Sequence, residues 1–353
     1  MSTQTLIHSI IQRIATGPEL SKNIELEEAE QAMTAILNGE VDDVQSAIFL
    51  IALRMKRETI EENFGILDAL LGSTDRQQSG VEDLIDLGDP YSGYNRSIPI
   101  SAFLPPLLAE LGLPAVIHGL DSVTPKFGLT HQHINQALGS DTNISPQQAK
   151  LQLESPSKGW AYLDQSLYCT ALHNLIPLRN KIIKRTVVNT VESLIGPIRG
   201  KRTHSILGFV HKPYPPIYAA LTARAGFDTS LVIRGVEGGV VPSLRQKGLM
   251  ISYVDGQERV RVEINPKAMG ITQELRAISF PNNWNSENNK IDLAELTVQL
   301  GKAALSGENG MFYDGLVYTA SLILWHLQQF KNLADAAEHV RVVLDSGKVL
   351  ERL

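Results

Sequence analysis

The sequence predicts an α/β protein: a small N-terminal all-helical domain plus a larger α/β domain with a mainly parallel central sheet. Three observations predict it. Residues 4–72 carry apolar side chains at helical spacing. From residue 81 onward, short apolar runs alternate with helical stretches, the pattern of parallel strands joined by crossover helices. The 353 residues exceed what one hydrophobic core usually supports, so two packed regions are expected. The divisions read from the chain are 1–75 for the helical domain and 80–353 for the α/β domain. A later helical segment near 165–195 is positioned to join the first.

Each element has its own reason. Leu6, Ile7, Ile10, Ile11 and Ile14 repeat at helical spacing. The stretch Glu27 to Leu37 places Ala29, Met33, Ile36 and Leu37 on one stripe, and Gly39 stops it as a C-terminal cap would. Thr59-Ile60-Glu61-Glu62 has the form of a capping box, opening a helix that runs through Leu71 to Gly72. Leu84 to Leu87, Pro114 to His118, Ser205 to Phe209 and Ser230 to Arg234 read as strands. Helices are expected from about Ser101 to Leu111 and from Pro216 to Ala225. Leu249 to Val254 and Val260 to Ile264 form a hairpin through Asp255-Gly256. Residues 290–330 and 333–345 return to helix. Pro281 to Asn289 is polar and turn-rich and reads as a surface loop.

Composition narrows the class. A hydrophobic fraction of 43% and a charged fraction of 20% are those of an ordinary globular protein. The net charge of -6 argues against indiscriminate polyanion binding by the whole surface. The single cysteine, Cys169, excludes a disulfide within the chain and fits a reducing cytoplasm. It lies in an apolar helical pattern, which favours a buried thiol over a nucleophile. Met1-Ser2-Thr3-Gln4 has no basic n-region, so no signal peptide is expected, and no apolar stretch reaches the 18 residues a spanning helix needs.

Gly39-Glu40, Gln45, Leu50, Ala52-Leu53-Arg54, Lys56 and Glu58-Thr59 form a pattern. It resembles the N-terminal helical segment of the anthranilate phosphoribosyltransferases, and the resemblance continues over most of the chain. It implies a cytoplasmic homodimer assembled through the N-terminal helices, with a site in the cleft between the two domains. That site would transfer 5-phosphoribosyl from phosphoribosyl pyrophosphate to anthranilate or a related amine, a step of tryptophan biosynthesis. Mg2+ enters only if this transferase reading holds.

Downstream, the sequence departs from the family motifs. The family's Gly-Thr-Gly-Gly-Asp turn, whose bare amides cradle pyrophosphate, corresponds to Gly88-Asp89-Pro90-Tyr91-Ser92-Gly93. Pro90 has no amide donor and Tyr91 adds bulk. Within Asn-Ile-Ser-Thr the serine survives as Ser101, a phosphate donor at a helix start or simply an N-cap. The Lys-His-Gly-Asn-Arg strand end becomes Ile117-His118-Gly119-Leu120-Asp121, with His118 structural or ligand-facing and Lys126 a partial replacement for the lost cations. Arg179 matches the arginine that contacts anthranilate in the family. Pro197 lies 12 residues beyond Arg185, one helical turn more than the family's spacing of about 8. The family's metal-binding Asp-Glu pair falls on Val240-Val241. Valine cannot ligate a cation, which leaves Glu237 as a weak candidate metal ligand or an ordinary surface carboxylate.

These departures resemble a divergent second branch of the family, some of whose members are nucleic-acid-binding dimers. Between residues 178 and 202, Arg179, Lys181, Lys184, Arg185, Arg199, Lys201 and Arg202 face one acid, Glu192, a net +6. Lys181, Lys184 and Arg185 are spaced to share a helix face. Such a stripe is the footprint of phosphate contacts, to nucleic acid or to a small phosphorylated ligand, or else a solvated face. Two functions follow as expectations: a protein binding a phosphate-rich ligand through this cluster, or a working transferase holding phosphates with Gly88, Ser92, Gly93, Ser101, His118, Gly119 and Lys126.

Overall fold

The computed structural model describes residues 2–17, 19–281 and 290–353. The N-terminal domain has four helices: α1 Thr3–Ile14, α2 Leu26–Leu37, α3 Asp43–Lys56 and α4 Ile60–Gly72. The caps act as the sequence predicts. Gly39 takes φ 74° just past α2, and Thr59 and Glu62 close the capping box that starts α4.

The strands are β1 Gln77–Gln78, β2 Asp83–Gly88, β3 Ala115–Gly119, β4 Trp160–Asp164, β5 Ile198–Arg199, β6 Arg202–Phe209, β7 Thr229–Arg234, β8 Gly248–Val254 and β9 Gln257–Ile264. Seven form the central sheet in the order β4-β3-β2-β6-β7-β8-β9. The first five are parallel, and β8 and β9 add the expected antiparallel hairpin. β1 and β5 pair separately. The remaining helices are α5 Leu104–Glu110, α6 His131–Leu138, α7 Pro146–Glu154, α8 Gln165–Tyr168, α9 Thr170–His173, α10 Ile176–Ile182, α11 Val188–Val191, α12 Tyr214–Ala225, α13 Lys290–Leu305, α14 Met311–His326 and α15 Leu333–Asp345. The surface loop expected at 281–289 falls, from residue 282 on, outside the described residues.

The sheet separates two cores. One face, with Ile85, Leu87, Ile117 and Leu231, is covered by α5, α6, α13, α14 and α15. The other, with Leu84, Val116, Leu163 and Val232, shares a continuous core with Ile7, Met33, Phe49 and Leu67 of the N-terminal helices. Residues 165–195 lie beside that domain: α10 touches α3 and α11 touches α4. Cys169 is buried between α8 and α9, and burial pushes its thiol pKa up. Among the described residues no helix is long and apolar enough to cross a membrane.

The shared helix face expected for Lys181, Lys184 and Arg185 does not form. α10 ends at Ile182, and Ile183 takes the left-handed conformation, φ 67°. Lys184 and Arg185 therefore lie beyond the helix. The sequence carries no glycine or proline at this break, so the periodicity runs through it unmarked.

Candidate functional site

The candidate site lies at the C-terminal ends of β2, β3 and β7. Gly88 ends β2, where a Cβ would press on the Leu207 side chain and on Ser193 O at 3.0 Å. Asp89 follows and is 1% exposed. Four donors converge on its carboxylate: the Ser101 hydroxyl, Tyr94 Oη at 2.8 Å, His131 Nε2 at 2.8 Å and the Val240 amide at 2.8 Å. Burial opposes its charge, but the donors from His131, Ser101 and Tyr94 prevail and hold its pKa below the usual carboxylate range. Ser101 sits within a short 3-10 turn, Ile100–Phe103, and caps no helix; its hydroxyl serves Asp89.

The turn after Asp89 is closed on itself. The Gly93 amide bonds Pro90 O at 2.9 Å, the Ser92 carbonyl takes the Gly128 amide at 2.9 Å, and Gly93 at φ 73° lies hard against Leu129 O. Tyr91 turns inward, where its hydroxyl joins His118 Nδ1 and the Tyr168 hydroxyl. His118 Nε2 donates to Asp86 Oδ1 at 3.0 Å. All four side chains are buried, so His118 is one link in an internal chain, and burial pushes both tyrosine pKa values up. Gly119, at the end of β3, is buried, and a Cβ there would make ordinary contact with Tyr162 Oη at 3.9 Å.

Glu237 is held in a similar way. The Asn95 amide (3.3 Å), the Arg96 amide (3.0 Å) and the Ser97 hydroxyl (2.8 Å) donate to its carboxylate. Lys126 Nζ stands 3.5 Å from it and donates to the carbonyls of Gly93 and Glu237 at 3.0 Å each. Burial lowers the Lys126 pKa, with Glu237 opposing the shift. Val240 and Val241 are 0% and 9% exposed and belong to the main core. Among the described residues no group of three or more His, Cys, Asp or Glu is placed to hold a metal ion.

The basic segment divides. Arg179, 2% exposed, makes a two-pronged ion pair with Glu192 at 2.8 and 2.7 Å. Arg199 is buried, bonds the carbonyls of Ile195 and Ala225, and lies 3.8 Å from the Phe227 ring centre. Burial brings its pKa down to about 10. Lys201 and Arg202 pair with Glu82 and Asp83 at the N-terminal edge of the sheet, the edge opposite the site. The single basic stripe expected from the sequence is therefore corrected: the fold sends these seven cations to the interior and to both edges. On the site's side remain Lys181, weakly paired with Asp43 at 3.4 Å, and the exposed Lys184 and Arg185. Arg185 is near enough to act on the charges of Lys126 and Tyr218.

Sequence reading missed three features. Asp89 and His131 gave no signal, because a hub spanning β2, α6 and the β7 loop exists only once the chain is folded. The partners of Glu237 lie some 140 residues earlier. The third is an aromatic row at the start of α12: His211, just before the helix, and Tyr214 and Tyr218 on it have ring centres 6.4 and 5.6 Å apart in succession. The i, i+4 spacing of the two tyrosines was its available trace.

Residues 8–74 match the helical bundle domain of the glycosyl transferase family, and residues 92–350 match the family's a/b domain. The chain belongs to this family. Its relatives include an anthranilate phosphoribosyltransferase of Methanopyrus kandleri, 27% identical over 352 residues, covering 98% of this chain and 97% of that one. An uncharacterized protein of Aquifex aeolicus is 28% identical over 320 residues, covering 90% and 93%. Among solved structures, the Saccharomyces cerevisiae anthranilate phosphoribosyltransferase in complex with PRPP and Mg superposes with a TM-score of 0.79 at 16% identity, covering 99% of this chain and 96% of that one. The Thermus thermophilus enzyme gives 0.71 at 18%, covering 98% and 96%. At these identities the structures establish the shared fold, the helical domain joined to the α/β domain.

Proposed function

We propose that this member of the glycosyl transferase family does not perform standard anthranilate phosphoribosyl transfer. It binds a phosphate-rich ligand, a nucleic-acid strand, at the lip of the cleft. One contrast carries the reading. Within the candidate site, Ser101, Lys126, His131 and Arg179 are each engaged by a carboxylate of the chain itself. Outside it, Lys184 and Arg185 are exposed with no side-chain partner among the described residues, Arg185 stands near Tyr218, and Lys181 is also exposed. Exposed cations beside aromatic rings suit a phosphate backbone with stacking bases.

Magnesium does not fit the donor set. It needs several hard oxygen ligands, while Val240 and Val241 offer none and the Glu237 carboxylate is taken by two amides, a hydroxyl and Lys126. The alternative is an active transferase moving 5-phosphoribosyl from phosphoribosyl pyrophosphate to anthranilate, and near-full-length similarity to proteins of that name favours it. It would use Arg179 to orient the acceptor. Homodimerisation through the N-terminal helices is supported by an exposed apolar stripe on α3, with Val44 at 67%, Ile48 at 39% and Met55 at 73%. Sedimentation equilibrium measures it.

The test is binding of a fluorescent single-stranded oligonucleotide across a salt series. Lys184→Glu with Arg185→Glu is expected to weaken binding at least about tenfold and to flatten the salt slope by about two contacts. Unchanged affinity and slope overturn the binding reading. Magnesium-dependent turnover of phosphoribosyl pyrophosphate and anthranilate by the wild type restores the transferase.

A further inference from the structure

We infer that Glu237 is a built-in occupant of an anion site, an internal competitor that keeps phosphate groups out of this part of the cleft. The donor set around its carboxylate is the kind that binds an oxyanion: two adjacent backbone amides, Asn95 and Arg96, the Ser97 hydroxyl, and the ammonium of Lys126. No acidic side chain other than Glu237 is bonded to these four groups among the described residues. The site lies near the surface, with Arg96 exposed and the Glu237 side chain 7% exposed. A small anion would need only to displace one side chain to reach it.

The backbone under Glu237 points the same way. Its φ is 55°, in the left-handed region that favours glycine, and it is followed by Gly238 at φ 88°. A non-glycine residue held there is strained, and such strain persists when the surroundings over-determine it. Here the carboxylate's four contacts with the Asn95–Ser97 segment and Lys126 hold it. Asp89 repeats the device one layer deeper, one carboxylate serving four donors. The two carboxylates together fill the donor groups that surround the turn. This inference rests on the geometry of that pocket and not on the nucleic-acid reading.

The consequence is a latent site of defined chemistry, for phosphate or pyrophosphate, unmasked by removing Glu237. Glu237→Gly removes the anion and suits the left-handed backbone. Glu237→Gln keeps the shape and removes the charge. The probe is inorganic pyrophosphate without metal, titrated by calorimetry into the full chain. The wild type is expected to give no saturable heat up to about 10 mM. E237G is expected to gain at least about a hundredfold, and E237Q at least about tenfold. Adding Lys126→Met to E237G is expected to abolish the gain, which locates the ligand. A folded E237G with no gain overturns the inference. So does a wild type that binds pyrophosphate as tightly as the variant. Should E237G not fold, E237Q decides alone, and no gain there overturns it equally. Oligonucleotide binding by the same variants separates the two readings, since E237G leaves Lys184 and Arg185 in place.

Discussion

Replacing Arg179 with methionine tests whether this arginine builds the fold or waits for a ligand. Both partners of its ion pair are 2% exposed, and the two bonds to Glu192 are 2.8 and 2.7 Å long. Without the guanidinium, Glu192 retains only weak contacts, Asn189 Nδ2 at 3.3 Å and Gln165 Nε2 at 3.5 Å. A buried carboxylate left in that state costs about 4 kcal/mol of stability. With a denaturant slope of about 3 kcal/mol/M, the urea midpoint falls by about 1.3 M. Removing both charges, as in Arg179→Met with Glu192→Met, leaves no orphan and is expected to recover most of that loss. The assay is equilibrium urea unfolding at neutral pH, followed by circular dichroism. A single variant losing less than about 1 kcal/mol would refute the reasoning, because the pair would then be no stronger than a surface contact.

Two further outcomes are expected. Asp89→Asn should cost about 3 kcal/mol at neutral pH, since one buried charged acceptor with four donors is weakened. The sign follows from the lowered folded pKa. That stability is present above the unfolded value of about 3.9 and is lost as pH falls through the folded one. The gap between wild type and D89N, read by thermal melts, should therefore close below pH about 4; a gap that is flat with pH contradicts it. Val240→Asp, which places an acid where the sequence resemblance implies one, puts an unpaired charge at a 0% exposed core position. It is expected to destabilise by about 3 kcal/mol or more in urea titration, with no recovery on adding magnesium; recovery by the metal would show a usable site.

Local signals account for what the sequence made legible. The four N-terminal helices show their apolar stripes and caps within a few residues, and the hairpin shows its Asp255-Gly256 turn. β4 escaped because Trp160–Asp164 runs straight into α8 with no glycine or proline between them to mark its end. Val240 and Val241, where the sequence resemblance implies an acid pair, lie in the main core, as two adjacent valines suggest. The roles of Asp89, His131 and Glu237 were not visible, since each also depends on a partner 42 to 151 residues away. The basic cluster misled because charge spacing was read as a surface property. Arg179 and Arg199 are interior residues whose burial is set by Glu192 and Phe227.

The core shared between the N-terminal helices and one face of the sheet has a mechanical consequence. Two domains joined by a thin linker can swing apart at little cost. Here Leu84, Val116 and Val232 of the sheet lie in the same apolar body as Ile7, Phe49 and Leu67. Prising the helices from the sheet would expose that body to water, so large separation is coupled to partial unfolding rather than to a hinge. Slow-exchanging amides should then run without a break from α4 into β2. Ligand access to the groups around Glu237 would be governed by the small loops that carry it and Lys126, while the domains themselves stay locked.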